Sequence, residues 1–273
     1  MTSSHLKAVI FDIGGVVLTS PFIAIAEYER EKGLPQNYLN VSITARGSQG
    51  AWQRFERGEL PLFAFYDAFG HDLSDTARGN VWYTEYCQRK GMVCPDLPET
   101  LKVDGRDLFG RMMRQGMHYD KNILLAIQRI RSAGNWLIIA LTNNFAKHVS
   151  SFALSSTGIS DSELRFLGWQ DGPTPPQLRA LFDDFCDSSQ LGMRKPEPEF
   201  YLLACERNGI SPREAIFLDD IGLNLKAASK LGIQTIHVPI GGTFEAVLQL
   251  EQKLGIDLTH RHMLESDAMT SKL

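Results

Sequence analysis

The sequence predicts an α/β fold, a central parallel sheet covered by helices, with a helical module inserted after the first strand. The first observation is a set of three short apolar runs rich in β-branched residues: AVIF before Asp12, WLIIAL before Thr142-Asn143-Asn144, and AIFL before Asp219-Asp220. Continuous apolar runs of this length suit parallel strands buried on both faces. The second is a fourth run, TIHVPI at 235–240, which follows the helical pattern LNLKAASKLG through a Gly-Ile turn and completes a βαβ unit. The third is the stretch of about a hundred residues between the first two runs, which has few strand signals and repeated helical spacing. Ligands of such sheets bind beyond the carboxyl ends of the strands. Three polar strand ends, far apart in sequence, are therefore expected at one edge.

In chain order, AVIF gives the first strand, and FIAIAEYEREKG and GAWQRFERGELPLFAFYDAFG give helices. Residues 22–115 are too many for a structureless loop, so they read as a helical domain packed on itself, leaving 1–21 and 116–273 as a discontinuous core domain. A position over the strand ends suits the inserted domain. Trp52, Phe55, Phe63, Phe65, Tyr66 and Phe69 recur at helical spacing and are expected in its core, with any that face the cleft favouring an apolar or elongated ligand. KNILLAIQRIRSAG leads back into the second strand. From Ser150 to Gln177, Ser, Gly and Pro predict a long surface loop, and the polar tail beyond Leu258 is expected to fray.

The 273 residues are 43% hydrophobic, enough for one α/β domain and a smaller module. A formal charge of -4 with scattered basic residues argues against a nucleic-acid partner. Cys87, Cys94, Cys186 and Cys205 show no CxxC spacing, which predicts free thiols in a reducing, cytoplasmic setting. The N-terminus lacks the pattern of a secretory leader, and no apolar run approaches the length of a membrane span. Oligomeric state is not legible.

The polar strand ends bring together three carboxylates (Asp12, Asp219, Asp220), a hydroxyl with two amides (Thr142, Asn143, Asn144) and, from GMRKPEPEF, Lys195. Carboxylates without neighbouring Cys or His ligands favour a hard cation such as Mg²⁺ over zinc. A lysine among acids offsets their repulsion and holds an anionic oxygen. These are the parts of a phosphoryl-transfer site: an acid nucleophile, a screening metal, and donors for the non-bridging oxygens. Taken singly, each residue also has a structural reading: Asp12 as a turn acid, Thr142 to Asn144 and the Asp pair as helix caps, Lys195 as a solvated lysine before proline. Two adjacent acids at a buried strand end, however, repel unless a cation is near.

Asp12 in FDIGGVVL, Thr142-Asn143 in LTNN, Lys195 in GMRKPEPEFY, and Asp219-Asp220 with Asn224 in IFLDDIGLNLKAASKLGIQTIHV resemble, in order and spacing, the four motifs of the haloacid dehalogenase (HAD) superfamily. The resemblance extends over roughly residues 6–240 and is closest to the subgroup that holds the N-terminal phosphatase domain of soluble epoxide hydrolase and the HAD domain of acyl-CoA dehydrogenase family member 10. GAWQRFERGEL is similar to that subgroup's cap. The resemblance implies a three-layer Rossmannoid core with a C1-type helical cap and Mg²⁺-dependent hydrolysis of a small-molecule phosphate or diphosphate, a class that includes those of lipid and terpenyl alcohols. It implies Asp12 as nucleophile and metal ligand, Thr142 and Asn143 as phosphoryl donors, Lys195 as the neutralising cation, Asp220 and the Gly14 carbonyl as further metal ligands, and Asp219 and Asn224 in support.

One position departs from that pattern. The family's phosphatases place an aspartate two residues after the nucleophile as general acid and base, and here that residue is Gly14. Such a group typically contributes about 10² to 10⁴ in rate. Three readings follow: a phosphatase whose acid is supplied elsewhere or whose leaving group needs little protonation, a 2-haloacid dehalogenase-type hydrolase, or a weakly catalytic phosphate-binding regulatory domain. Gly14-Gly15 most simply provide a permissive turn. Asp104 and Asp107 in KVDGRDLF read as a solvated loop. The histidines form no ligand-spaced pair apart from His260 and His262 in the tail, with His118 and His148 as the two that sequence position brings nearest the site.

Overall fold

A computed structural model of the chain describes residues 5–145 and 159–259. Five parallel strands form one sheet: β1 (Ala8–Phe11), β2 (Leu137–Thr142), β3 (Asp184–Asp187), β4 (Ala215–Asp219) and β5 (Gln234–His237), in the order β3-β2-β1-β4-β5. Between β1 and β2 lie α1 (Phe22–Glu31), α2 (Tyr38–Ala45), α3 (Ala51–Glu56), α4 (Leu62–Ser74), α5 (Thr76–Lys90), α6 (Gly105–Gln115) and α7 (Lys121–Ala133). Then come α8 (Asp161–Leu167) and α9 (Pro176–Arg179) before β3, α10 (Ser188–Leu191) and α11 (Pro198–Arg207) before β4, α12 (Gly222–Lys230) before β5, and α13 (Thr243–Leu254) after it.

The four apolar runs are β1, β2, β4 and β5. The fifth strand, β3, has the sequence DFCD and escapes an apolar search because its first acid faces outward, where Arg207 and Asn208 hold the Asp184 carboxylate. Alternate residues of the central strands enter opposite layers. Val9, Phe11, Ile138, Ala140, Ile216 and Leu218 pack with apolar residues of α7 and α13. Ala8, Ile10, Ile139, Leu141 and Phe217 pack with α11 and α12. Burial on both faces is why these strands read as unbroken apolar runs. Asp120 caps α7 by accepting from the N–H groups of Asn122 and Ile123, and Gly134, at φ 69°, ends it.

Strand order places the site. From β1 the chain builds outward through β2 to β3, then returns to β4 on the other side, so connections leaving β1 and β4 diverge. A crevice opens at such a switch point. Phe11 lies opposite Leu218, and the Asp12 N–H donates to the Leu218 carbonyl at 2.9 Å, which sets Asp12 beside Asp219.

Helices α1 to α6 share a second apolar cluster built on Tyr28, Tyr38, Phe55, Phe65, Phe69 and Phe109. Phe55 stacks on Phe65 at 4.0 Å between ring centres, and Phe109 meets Phe65 edge-on at 5.1 Å. Tyr66 is buried as expected, whereas Trp52 is only partly buried and Phe63 is 49% exposed. Phe63 shares the helical period but falls outside the inward face of α4.

This cluster also takes Phe145, Ile159, Leu164, Leu167 and Trp169 from beyond β2. The expectation of a long surface loop is therefore corrected: residues 150–158 lie outside the described residues, but Asp161–Leu167 is a helix with a buried face. Ser160 caps it, and Glu163 accepts from Tyr66 Oη at 2.9 Å and Arg106 Nη2 at 2.7 Å. The Ser- and Gly-rich flanks mask a short apolar face that only the neighbouring helices reveal. KVDGRDLF is likewise the start of α6, with Asp104 accepting from the Asp107 N–H as its cap. Among the described residues no helix is long and apolar enough to cross a membrane, and all four cysteines are free thiols.

Helices α4 and α6 approach closely at Gly70 and Gly105. A Cβ on Gly105 would lie 2.2 Å from the Tyr66 carbonyl oxygen and 2.7 Å from the Gly70 nitrogen, so any side chain forces the helices apart. Gly105→Ala is expected to lower unfolding stability by about 1–3 kcal/mol. A urea denaturation midpoint unchanged from the parent protein would refute this close approach.

Candidate active site

The carboxyl ends of β1, β2 and β4 present Asp12, Thr142 and Asp219, and the loop between α10 and α11 supplies Lys195. The Lys195 ammonium is 1% exposed and lies 2.7 Å from Asp12 Oδ1 and 2.8 Å from Asp219 Oδ2. Asp12 Oδ1 also accepts from the Ile13 N–H at 2.6 Å, while Oδ2 makes no hydrogen bond among the described residues. Asp219 is fully engaged: Oδ1 accepts from the Ile221 N–H at 2.7 Å, and Asn224 Nδ2 lies 3.1 Å from both oxygens. Asp220 Oδ2 accepts from Ser20 Oγ at 3.2 Å, but its buried Oδ1 has no partner.

Oxygens of Asp12, Asp219 and Asp220 lie within 4.8 Å of one another. With all three ionised and Lys195 protonated, the cluster carries two net negative charges. Burial pushes Asp12 well above the usual carboxylate range; Lys195 opposes this, and Asp219 and Asp220 add to it. Burial and then Asp219 push Asp220 up to about 7. Burial works against the Lys195 ammonium, yet Asp12 and Asp219 outweigh it and hold the lysine above its ordinary value. An all-oxygen donor set, an orphaned buried carboxylate oxygen and a net charge of minus two fit a hard divalent cation such as Mg²⁺.

Thr142 is buried, its hydroxyl only 3.4 Å from the Asn143 carbonyl. The Asn143 side chain clamps the Lys195 backbone, accepting from its N–H at 2.8 Å and donating to its carbonyl at 3.0 Å. Asn144 donates from its backbone to Ser188 Oγ and from its side chain to Asp187 and Thr174. The two glycines after Asp12 differ. Gly15 has φ +88°, and a Cβ there would lie 2.1 Å from Asp220 Oδ2, so the turn requires glycine. A Cβ on Gly14 would meet only Pro21 Cδ at 3.6 Å, so that position has room for a side chain.

A cavity of about 500 Å³ opens over these groups, lined by Asp12, Gly14, Thr142, Asn143, Lys195 and Asp220 at one end. Much of the remaining wall is apolar, including Ile25, Ile43, Trp52, Met113, Phe145 and Trp169. Four charged residues that motif reading passes over also line it, Glu56, Arg57, Arg194 and Glu197. Arg194 Nε donates to Glu56 Oε2 at 2.6 Å, and the Glu56 carbonyl accepts from Ser188 Oγ at 2.5 Å, so α3 is tied at two points to the segment between β3 and α11. Burial pushes the Glu56 carboxyl up against the pull of Arg194. The available signals were the position of Arg194 beside Lys195 and of Glu56 one helical turn after Trp52. His118 is absent from the cavity wall: its carbonyl accepts from the Thr19 N–H, and its ring stays near the Gln115 carbonyl. His148, His260 and His262 lie outside the described residues.

Comparison with known proteins agrees with this geometry. The chain is 33% identical over 254 residues to acyl-CoA dehydrogenase family member 10 of Mus musculus, covering 92% of this chain and 19% of that protein. It is 40% identical over 253 residues to bifunctional epoxide hydrolase 2 of Mus musculus, covering 92% of this chain and 39% of the relative. The chain thus spans less than half the length of these relatives. A HAD family enzyme from Bacteroides thetaiotaomicron shares the fold, with a TM-score of 0.51, 17% identity, and coverage of 89% of this chain and 98% of that one. The model of the haloacid dehalogenase-like hydrolases matches residues 6–232. This chain belongs to the haloacid dehalogenase-like hydrolase family.

Proposed function

We propose that the chain is a magnesium-dependent phosphatase that hydrolyses a small-molecule phosphate through an aspartyl-phosphate on Asp12, with the helices of residues 22–115 as the cap. The observation that carries this reading is the Asp12 carboxylate itself. Its Oδ1 is held by Lys195 and the Ile13 N–H, and its Oδ2 has no partner among the described residues and belongs to a residue of the cavity wall. Asp12 attacks phosphorus, the bond to the leaving-group oxygen breaks, and water then cleaves the acyl phosphate to restore the carboxylate. Lys195 balances the carboxylate and the transferring group, and the Thr142 hydroxyl donates to a phosphoryl oxygen. Asn143 positions Lys195 through its backbone. Asp12, Asp220 and the Gly14 carbonyl would hold Mg²⁺, with Asp219 and Asn224 in support; the ion, when bound, screens the negative charge of nucleophile and substrate.

The apolar wall supports a substrate with an apolar body, such as a lipid or terpenyl phosphate. A second reading rests on Gly14, since attack on carbon needs no acid at that position: Asp12 would displace halide from a 2-haloacid. The adjacent Asp219-Asp220 pair favours the phosphatase, because a metal-free reaction has no use for a second, part-buried carboxylate beside a fully buried one. Halide release from 2-haloacids that survives chelation would decide for the second reading.

Asp12→Asn is expected to reduce hydrolysis of 4-nitrophenyl phosphate by on the order of 10³-fold or more, and undiminished turnover would eliminate Asp12 as nucleophile. Chelation should abolish turnover, with Mg²⁺ restoring it. Lys195→Met leaves Asp12 and Asp219 buried without their shared cation, and is expected to lower stability by about 3–5 kcal/mol as well as activity. Denaturation curves superimposable on the parent's would contradict that role.

A further inference from the structure

We propose that the natural substrate is a phosphoanhydride, whose leaving group departs as a stable phosphate anion, and that Arg194 receives that second phosphate. This rests on the phosphatase reading above and narrows it. An alkyl phosphate ester must expel an alkoxide, a base comparable with hydroxide, whose conjugate acid, water, has a pKa of about 15.7. An enzyme acting on such esters therefore needs a proton donor at the bridging oxygen. The position where the family's phosphatases carry that donor is Gly14, and steric crowding is not the reason: a Cβ there meets nothing nearer than Pro21 Cδ at 3.6 Å. Of the other carboxyls in the cavity wall, Asp220 belongs to the metal cluster and Glu56 is paired to Arg194 at 2.6 Å. Glu197, also in the wall, accepts from the Arg194 N–H at 3.1 Å and lies 3.7 Å from Arg57.

A leaving phosphate removes the need for that donor, since a phosphate monoester loses its second proton with a pKa of about 6. What it needs is a cation. Arg194 adjoins Lys195 in sequence and lines the same cavity. Only its Nε is engaged, on Glu56, and its two Nη groups have no partner among the described residues. That free edge is the geometry with which a guanidinium takes phosphate oxygens. In the first step Asp12 Oδ2 bonds to the terminal phosphorus, and the bridging P–O bond breaks. The bridging oxygen keeps the electron pair as an oxygen of the departing phosphate. Water then adds to phosphorus and the bond to Asp12 breaks. One water proton stays on the new hydroxyl and the other passes to a phosphate oxygen, giving inorganic phosphate.

The test is a leaving-group series with the whole protein and Mg²⁺: substituted phenyl phosphates, an alkyl phosphate and the matching alkyl diphosphate. Expected are a steep fall of kcat/KM as the leaving phenol becomes less acidic, and an alkyl phosphate at least about 10²-fold slower than its diphosphate. Gly14→Asp should flatten the series and raise alkyl phosphate turnover more than that of 4-nitrophenyl phosphate. Arg194→Lys keeps a cation beside Glu56 but loses the fork, and should reduce diphosphate turnover about tenfold more than 4-nitrophenyl phosphate turnover. A flat series, or an alkyl phosphate as fast as its diphosphate, overturns the proposal and leaves the phosphatase reading standing. An Arg194→Lys loss equal for both substrates removes Arg194 from the leaving-group site. No turnover of any member, 4-nitrophenyl phosphate included, overturns the phosphatase reading and this proposal with it.

Discussion

The Lys195 ammonium, buried between Asp12 and Asp219, is the contact on which the rest of the site depends. It joins the ends of β1 and β4 to the loop before α11, three segments brought together from opposite ends of the chain. Taking one cation and two carboxylates out of water is costly, and their attraction offsets that only where geometry is close and the remaining lone pairs are satisfied. Both conditions hold at Asp219, whereas Asp12 keeps Oδ2 open towards the cavity. Asp219 has all its remaining acceptor capacity taken by Ile221 and Asn224, while the Asn143 amide fixes the lysine backbone from both sides.

The same arrangement leaves a deliberate imbalance. Lys195 compensates two acids, and Asp220 adds a third whose buried Oδ1 has no partner. A cluster with more negative charge than its lysine can balance is poised for a further cation, and burial, with repulsion from the neighbouring acids, holds Asp12 and Asp220 above their ordinary range. Gly15 belongs to this balance as much as to the turn, because a side chain at that position would occupy the space of the Asp220 carboxylate.

The two ends of the cavity are built by different parts of the chain. The charged end of the cavity comes from strand ends and the lysine loop, whereas its walls come from α1 to α3, α6 and the segment around Phe145 and Trp169. Glu56 connects the two. Its carboxylate holds Arg194 and its carbonyl is bound by Ser188, whose hydroxyl also takes the Asn144 N–H. The helical layer is thereby fastened to α10 and the lysine loop, and through Ser188 to the segment after β2.

Four of the five strands and the carboxylate cluster were legible in sequence because each depends on a local signal: apolar runs buried on both faces, and acids placed where those runs end. β3 and α8 were not. Asp184 hides a strand because its partners, Arg207 and Asn208, come from the end of α11 and the residue that caps it, and the buried face of Asp161–Leu167 exists only against Tyr66, Arg106 and their neighbours. Asn143 illustrates the same limit within the site, since the residue type announces a hydrogen-bonding side chain but not that the Lys195 backbone will occupy it. The sequence by itself determined the family, the acid at the end of the first strand and the want of a second acid at Gly14, all properties of residue type and order. Tertiary structure alone decided that Gly14 has room to spare, that Gly15 has none, and that Glu56 and Arg194 meet beside the lysine, because those are distances between segments the chain keeps far apart.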